Sequence, residues 1–332
     1  MAFDMEFELT DKKILNILQT DFPISARPFL DIAGAIGITE QEVIDRILNL
    51  KKIKVIRQIS AIFDSHNIGY KSTLAAFKVS EGMVDFAANI INSHSGVSHN
   101  YLRSNEYNIW FTITLPAKLD LEEEIKALSK ESNASDYLIL PTLKLFKIGV
   151  NFDMTGEDNS SFKFFSHDDF KDDADINISD FEKDCIKELQ KDLEITPEPF
   201  KNSSERLGIS QDKLLNQIKD FISEKKMRRF ACVLYHQKAG FSYNIMGIWK
   251  SKPEDVGRNG KLMSSVKEVS HCYQRPVYPG RWEYNIFTMI HAKSKEEAFK
   301  IMKDISALTG INDFDALESI REFKKVRVKY YV

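Results

Sequence analysis

Apolar positions along the chain follow two rhythms in turn. In "TDKKILNILQTD", Ile14, Leu15, Ile17 and Leu18 share one helical stripe, and Thr10 is the expected N-cap. In "ARPFLDIAGAIGITEQEVIDRILNLKK" a helix ends at Gly37 and Thr39 caps the next, with Glu42 three residues on in the capping-box position. Helices joined through a short glycine turn predict a helix-turn-helix unit. The rhythm then changes to the strand signals "IRQISAIFD" and "STLAAFKVS", and a helix from about Met83 to Ser95. The strand "NIWFTITLP", the helix "LEEEIKALSK" and a last strand, "TLKLFKIGV", follow. That β-α-β-β-α-β order predicts a ferredoxin-like sandwich.

The whole pattern then recurs. Phe29 falls on Phe200, an offset of 171 that also pairs Gly37 with Gly208, Arg57 with Arg228 and Gly69 with Gly240. The offset is 172 at His99 and His271 and 177 at Tyr107 and Tyr284; the "PVYPG" insertion accounts for five of the added residues. The expected class is therefore α+β, with two homologous halves of one helix-turn-helix domain and one ferredoxin-like domain each. Boundaries are expected at residues 1–55 and 56–152, then 179–226 and 227–332. The intervening segment 153–178 is acidic and lacks apolar periodicity, as a solvated linker would; its Phe162, Phe164 and Phe165 are candidates for docking on a neighbouring surface.

Composition narrows the class. With 43% hydrophobic and 29% charged residues among 332, the chain reads as soluble, and no apolar run approaches a membrane span. No signal peptide is evident, and three scattered cysteines without a C-x-x-C pair fit reduced thiols in the cytoplasm. The net charge of −3 argues against a chain devoted to DNA phosphates. The helix that would enter the major groove, "TEQEVIDRILNL", carries Glu40, Glu42 and Asp45 against Arg46 alone. No nucleic acid and no membrane are expected as partners.

Chemistry concentrates in the second half. "MRRFACVLYHQKAGFSYNIMGIW" starts with Arg228 and Arg229, runs through a strand and delivers His236 and Lys238 just before Ala239-Gly240-Phe241. Alternation would put Arg228 on the face of Phe230, Cys232 and Leu234, and the chain would return as a hairpin through Tyr243, Asn244, Met246 and Trp249. "VSHCYQRPVYPGRWEYNIFTMIH" adds His271, Tyr273, Arg275, Arg281, Trp282, Tyr284 and His291. The first half repeats part of it as "VSHNYLRSNEYNIWFT", with His99, Tyr101 and Arg103. Taken singly, each of these residues has an ordinary structural reading. Arginines, histidines and flat aromatics on one sheet together suit a large, flat polyanion: stacking from the rings, bidentate clamps on carboxylates, and imidazoles for iron or protons.

"RRFACVLYHQKAGF" with "SHCYQRP…WEYNIFTMIHA" resembles the B-type (L-type) subunit of siroheme decarboxylases. "IRQISAIFDSHNIGYKSTLAAFKV" with "SHNYLRSNEYNIWFT" resembles the A-type (D-type) subunit; both are relatives of the Lrp/AsnC regulators. The resemblance spans both halves, as a fused pair would. It departs where Ser65 stands in the place of His236 and Asn67 opposite Lys238, so the halves are not expected to be equally catalytic.

The resemblance implies decarboxylation of the C12 and C18 acetates of siroheme, giving 12,18-didecarboxysiroheme for haem d1 or alternative haem synthesis. The substrate would bring its own iron, and no cofactor is expected. Siroheme and its monodecarboxylated intermediate would be the partners, in a cytoplasmic chain that could pair as a homodimer. It implies His236, His271 and Tyr273 as catalytic residues, with the acid and iron-ligand roles open between the two histidines. Arg228, Arg229, Lys238, Arg275, Arg281, Trp282 and Tyr284 would bind substrate, joined by Arg57, His99, Tyr101 and Arg103. The competing readings are an Lrp/AsnC-like regulator and a non-catalytic tetrapyrrole-binding protein.

Overall fold

The computed structural model describes residues 7–148, 176–235 and 243–332. In the first half, α1 (Leu9–Thr20), α2 (Pro28–Ile36) and α3 (Glu40–Lys52) precede β1 (Ile56–Phe63), and β2 (Tyr70–Lys78), α4 (Val84–Ser93) and β3 (Val97–Arg103) follow. β4 (Ile109–Pro116), α5 (Leu121–Glu131), β5 (Asp136–Leu140) and β6 (Lys144–Ile148) complete it. The second half repeats the series as α6 (Asp180–Leu189), α7 (Pro199–Arg206), α8 (Gln211–Ser223), β7 (Met227–Leu234), β8 (Tyr243–Trp249) and α9 (Val256–Ser265). It ends with β9 (Val269–Gln274), β10 (Ile286–Ala292), α10 (Lys295–Thr309) and β11 (Phe314–Lys325).

Local signals acted as expected at α2 and α3. Gly37 terminates α2 with φ of 78°, a left-handed conformation that costs glycine nothing. Thr39 and Glu42 close a reciprocal capping box on α3, typically worth ~1 kcal/mol. Thr10 does not cap α1. That helix begins at Leu9, two residues earlier than a Thr10 cap would start it, and its N-cap, Glu8, makes no side-chain capping bond.

The helical domains of the two halves share one core. Phe22 meets Phe29, Phe200 and Phe230 at ring separations of 6.3, 6.4 and 5.2 Å, and α1–α3 and α6–α8 close over them. Beneath lies a two-stranded ribbon in which β1 pairs antiparallel with β7. Two sequence expectations are corrected here. β1 is not the first strand of the sandwich, and β7 forms no hairpin with β8, because each finds its partner in the opposite half.

The remaining nine strands form one sheet, ordered β5-β2-β4-β3-β11-β8-β10-β9-β6. Each half contributes four strands in the ferredoxin-like order, with its last strand beside its first. That last strand in the first half is β5, "DYLIL"; "TLKLFKIGV", expected in that place, supplies β6, which crosses over and pairs with β9. β11 makes the same crossing unbroken: Phe314–Glu318 pair with β8 and Ser319–Lys325 with β3. Only residues 141–143 separate β5 from β6, so the sheet's two ends are joined through the chain.

Alternation then sorts side chains between two environments. Phe77, Phe111 and Ile113 pack outward under α4 and α5, and Ile245, Ile286 and Ile290 under α9 and α10. The inward faces meet through Trp110, Leu138, Leu140, Met246, Ile248, Phe287 and Leu317. Trp282, from the "PVYPGRW" insertion, completes this layer; it is 4% exposed, with its ring centroid 5.3 Å from Trp110. Trp282→Ala is therefore expected to cost ~3–5 kcal/mol, as large aromatic deletions from cores do. A urea unfolding midpoint matching the parent chain would show that the insertion does not hold the halves together.

Candidate active site

The crossing strands set the position of β3 and β9, whose side chains point into the space between the two halves. In both, a serine is the extra residue of a β-bulge: Val97 pairs with Ile113 and His99 with Thr112, passing over Ser98. Ser270 is passed over in the same way between Val269 and His271. A bulge re-aims the side chains beside it. Asn100 and Cys272 turn towards α4 and α9, while His99, Tyr101 and Arg103, and His271, Tyr273 and Arg275, form two matching ladders on the other face. His99 stacks on Tyr101 at 6.3 Å and His271 on Tyr273 at 6.0 Å. Each arginine lies over the tyrosine before it, at 5.2 Å for Arg103 and 4.9 Å for Arg275.

Those arginines are not free clamps. Arg103 Nη1 donates to the Leu317 carbonyl at 2.9 Å, and Arg275 Nη1 to the equivalent Leu140 carbonyl. Their Nε atoms find no protein acceptor among the described residues. Burial pulls both guanidinium pKa values down to about 10, which leaves them charged at neutral pH.

The helical side of the space is walled by the β1–β7 ribbon, where bulges act again. Ile56 pairs with Leu234 and Gln58 with Val233, so Arg57 is extra on β1; Ile62 pairs with Arg229 and Phe63 with Met227, so Arg228 is extra on β7. Phe230, Cys232 and Leu234 stay in the helical core, whereas Arg228 is close enough for its charge to act on His271 and Tyr273. The shared face expected from strict alternation is thus broken at Arg228. Asp64 binds Arg228 Nη2 at 2.9 Å, and Arg57 donates to the Lys325 carbonyl at 3.1 Å. Arg229 has no carboxylate partner among the described residues; burial and the neighbouring Arg228 lower its pKa. Arg327, which the sequence did not single out, donates to the Ala61 carbonyl at 3.0 Å and adds another cation beside Arg57 and Arg229.

His271 and Tyr273 are half-buried, on the side of their ladder within reach of the Arg228 charge. Burial, reinforced by the positive charge of Lys325 and Arg57, holds His99 down to about 4. Burial, with His291, Arg228, His99 and Lys147, takes His271 down to about 3. Both imidazoles are neutral at neutral pH. Tyr101 and Tyr273 are pushed up by burial and stay protonated.

Three expected site residues lie elsewhere. Arg281 Nε donates to Asp136 at 3.1 Å and its Nη2 to the Tyr137 carbonyl at 2.7 Å, on β5. Trp282 is core, and Tyr284 borders a shallow surface hollow with Lys250 and Asp313. The insertion therefore binds the halves together rather than opening onto the histidines. His236 and Lys238 lie outside the described residues, as do Phe162, Phe164 and Phe165. Lys325, Arg327 and Ser270, which stand beside the ladders and the ribbon, were not singled out from the sequence, and His291 was named there without a role. Aligning the two halves was the available signal, because offset 177 puts Lys325 on Ile148 and His291 on Thr114. In the helical domain, Arg46 of α3 is held by Glu8 and Asp11 at 2.9 Å each, and Glu40 by Arg27. Among the described residues no helix is long and apolar enough to cross a membrane.

Comparison with known proteins agrees with this architecture. The AsnC-like ligand binding domain model matches residues 67–147 and 238–324, and the siroheme decarboxylase NirDL-like HTH domain model matches 11–57 and 182–228. A siroheme decarboxylase of Hydrogenobacter thermophilus is 33% identical over 96% of this chain and 94% of its own. The crystal structure of the siroheme decarboxylase NirDL superposes with a TM-score of 0.77 at 30% identity, covering 97% of this chain and 94% of that one. A structure of NirDL in complex with an iron-uroporphyrin III analogue gives 0.76, at 30% identity over 97% and 95% of the two chains. Matched in both halves and along nearly its whole length, the chain belongs to the siroheme decarboxylase family of fused NirDL type, built on AsnC-like ligand-binding domains.

Proposed function

We propose that the chain is a non-oxidative carbon–carbon lyase that removes CO2 from the C12 and C18 acetates of siroheme, giving 12,18-didecarboxysiroheme for haem d1 or alternative haem synthesis. The observation that carries this reading is the space between the halves, where two neutral histidines stand among Arg57, Arg228, Arg229, Arg327 and Lys325. Family membership supports it independently.

Breaking the bond between the acetate methylene and its carboxyl carbon leaves the electron pair on the methylene. The conjugated macrocycle spreads that charge, one proton completes a methyl group, and CO2 departs. The protein's tasks are to orient the acetate, exclude water and deliver the proton. Arg57, Arg228, Arg229 and Lys325 would hold the non-reacting carboxylates, with His99 and Tyr101 beside them. His271 is the proposed proton donor or axial ligand of the substrate iron, and Tyr273, a neutral phenol, a second donor. His236 and Lys238 keep the roles inferred from sequence. Arg103 and Arg275, bound to backbone carbonyls, would act by fixing the tyrosines.

Anaerobic incubation with siroheme followed by mass analysis should show the loss of two CO2 units. His271→Ala should slow that loss on the order of 100-fold, the low end of what a positioned acid contributes. Siroheme bound but returned intact by the parent chain would favour the carrier reading.

The neutral histidines also dictate a pH dependence. Their folded pKa values, about 4 and about 3, lie below the ordinary 6.5, so the unfolded chain binds protons first as pH falls. Their contribution to the ligand-free protein's stability is complete above pH 6.5. It declines below that by ~1.4 kcal/mol per pH unit for each histidine, until the folded pKa is reached. His271→Gln should remove its share of that slope between pH 6 and 4 (roughly, by the same linkage), read from urea unfolding; an unchanged slope would contradict a neutral, buried His271.

A further inference from the structure

The two histidine ladders match closely until the serines before them are compared. Ser98 Oγ lies 2.9 Å from His99 Nδ1. Ser270 Oγ lies 2.8 Å from His271 Nδ1, and also 2.7 Å from a second imidazole, Nε2 of His291 on β10. His291 Nδ1 in turn meets the side-chain oxygen of Asn244, its partner across β8. The corresponding pair in the first half is Thr114 and Ser72, joined hydroxyl to hydroxyl at 2.9 Å. Across the crossing strand, Lys325 pairs with His99, but Ile148 pairs with His271. One histidine is thus placed beside a cation suited to carboxylates. The other is placed at the end of a hydrogen-bonded chain.

We propose that His291 is a positioning residue that passes a proton through the Ser270 hydroxyl to His271, so that the reacting carbon is protonated at the second half. The inference rests on the siroheme decarboxylase reading and adds the route of the proton. Asn244 accepts from Nδ1–H of His291, so a further proton on that ring sits on Nε2, facing Ser270. Ser270 then accepts from His291 and donates to His271 Nδ1, which leaves the His271 proton on Nε2. When that proton moves to the methylene carbanion, the hydroxyl proton shifts to His271 Nδ1 and the His291 Nε2 proton shifts to Ser270. One proton leaves the chain, one C–H bond forms as the C–C bond breaks, and His291 returns to neutral. Solvent restores the proton between turnovers.

The groups facing His271 oppose an extra proton while the site is empty: Arg228, tempered by Asp64, together with His99 and Lys147. Substrate carboxylates reverse that balance, so proton uptake accompanies binding. The Met289 carbonyl, 3.3 Å from Ser270 Oγ, is the hydroxyl's alternative acceptor in the resting arrangement.

The test compares the full-length parent, His291→Gln, Ser270→Ala and the double variant, with anaerobic siroheme turnover and binding measured across pH. Each single variant should lower kcat on the order of 100-fold, with KM and siroheme binding kept within about threefold. The double variant should be no slower than the worse single one, because both cut the same chain. His291→Gln should also lose the alkaline limb of the kcat profile, the fall in rate as His291 gives up its proton with rising pH. Thr114→Val, at the matching position of the first half, should leave kcat unchanged. Parent-like kcat in His291→Gln or Ser270→Ala would overturn the relay, as would losses that multiply in the double variant or that appear in binding rather than kcat. A parent chain unable to release CO2 would instead remove the decarboxylase reading, and the relay with it.

Discussion

A guanidinium buried in the interior must find an acceptor, because leaving its hydrogen-bonding groups unpaired there costs several kcal/mol. Arg103 finds its acceptor at Leu317, on the crossing strand β11, and Arg275 at Leu140, the last residue of β5 before the chain crosses as β6. The bond therefore couples three features: the register of the crossing strand, the ladder of tyrosine and histidine on the arginine's own strand, and the distance between the halves. The separation of the two ladders follows from that spacing. Arg103 and Arg275 each fix one ladder through Nη1, while their Nε atoms have no acceptor among the described residues.

Against this frame the bulges perform the finer placement. A regular ribbon would have sent Arg57 and Arg228 into the shared helical core with Phe230, where no partner exists for them. One extra residue on each strand turns them towards the histidines. Bulges at Ser98 and Ser270 bring each hydroxyl to its histidine's Nδ1. These four bulges fall at matching positions of the two halves. The differences between halves are side-chain changes on a common backbone: Ile148 for Lys325, His291 for Thr114, Asn244 for Ser72.

Much of this was legible in the sequence because it is local. The duplication, the α3 capping box, the Gly37 stop and most helices and strands follow from spacing that neighbouring residues determine. Strand exchange was not legible. "TLKLFKIGV" reads as a strand either way, and whether it pairs at home or across the molecule depends on contacts far away in sequence. Arg228 was misplaced because a bulge is defined by the count on the partner strand. Trp282 was read as a ligand-stacking ring because an aromatic side chain does not announce its neighbours; β5 and Trp110 turned out to be those neighbours. His291 was visible as a residue, but its significance lay in a difference between copies.

The crossing of β6 and β11 has one more consequence, and it concerns evolution. A strand that completes its neighbour's sheet makes each half a condition for the folding of the other, so neither can be lost while its partner is retained. Under that mutual dependence one copy is free to give up chemistry without giving up structure. A duplicated scaffold of this kind can hold an inert wall and a reactive wall around one ligand, and a covalent tether keeps the two from ever pairing with their own kind within a chain.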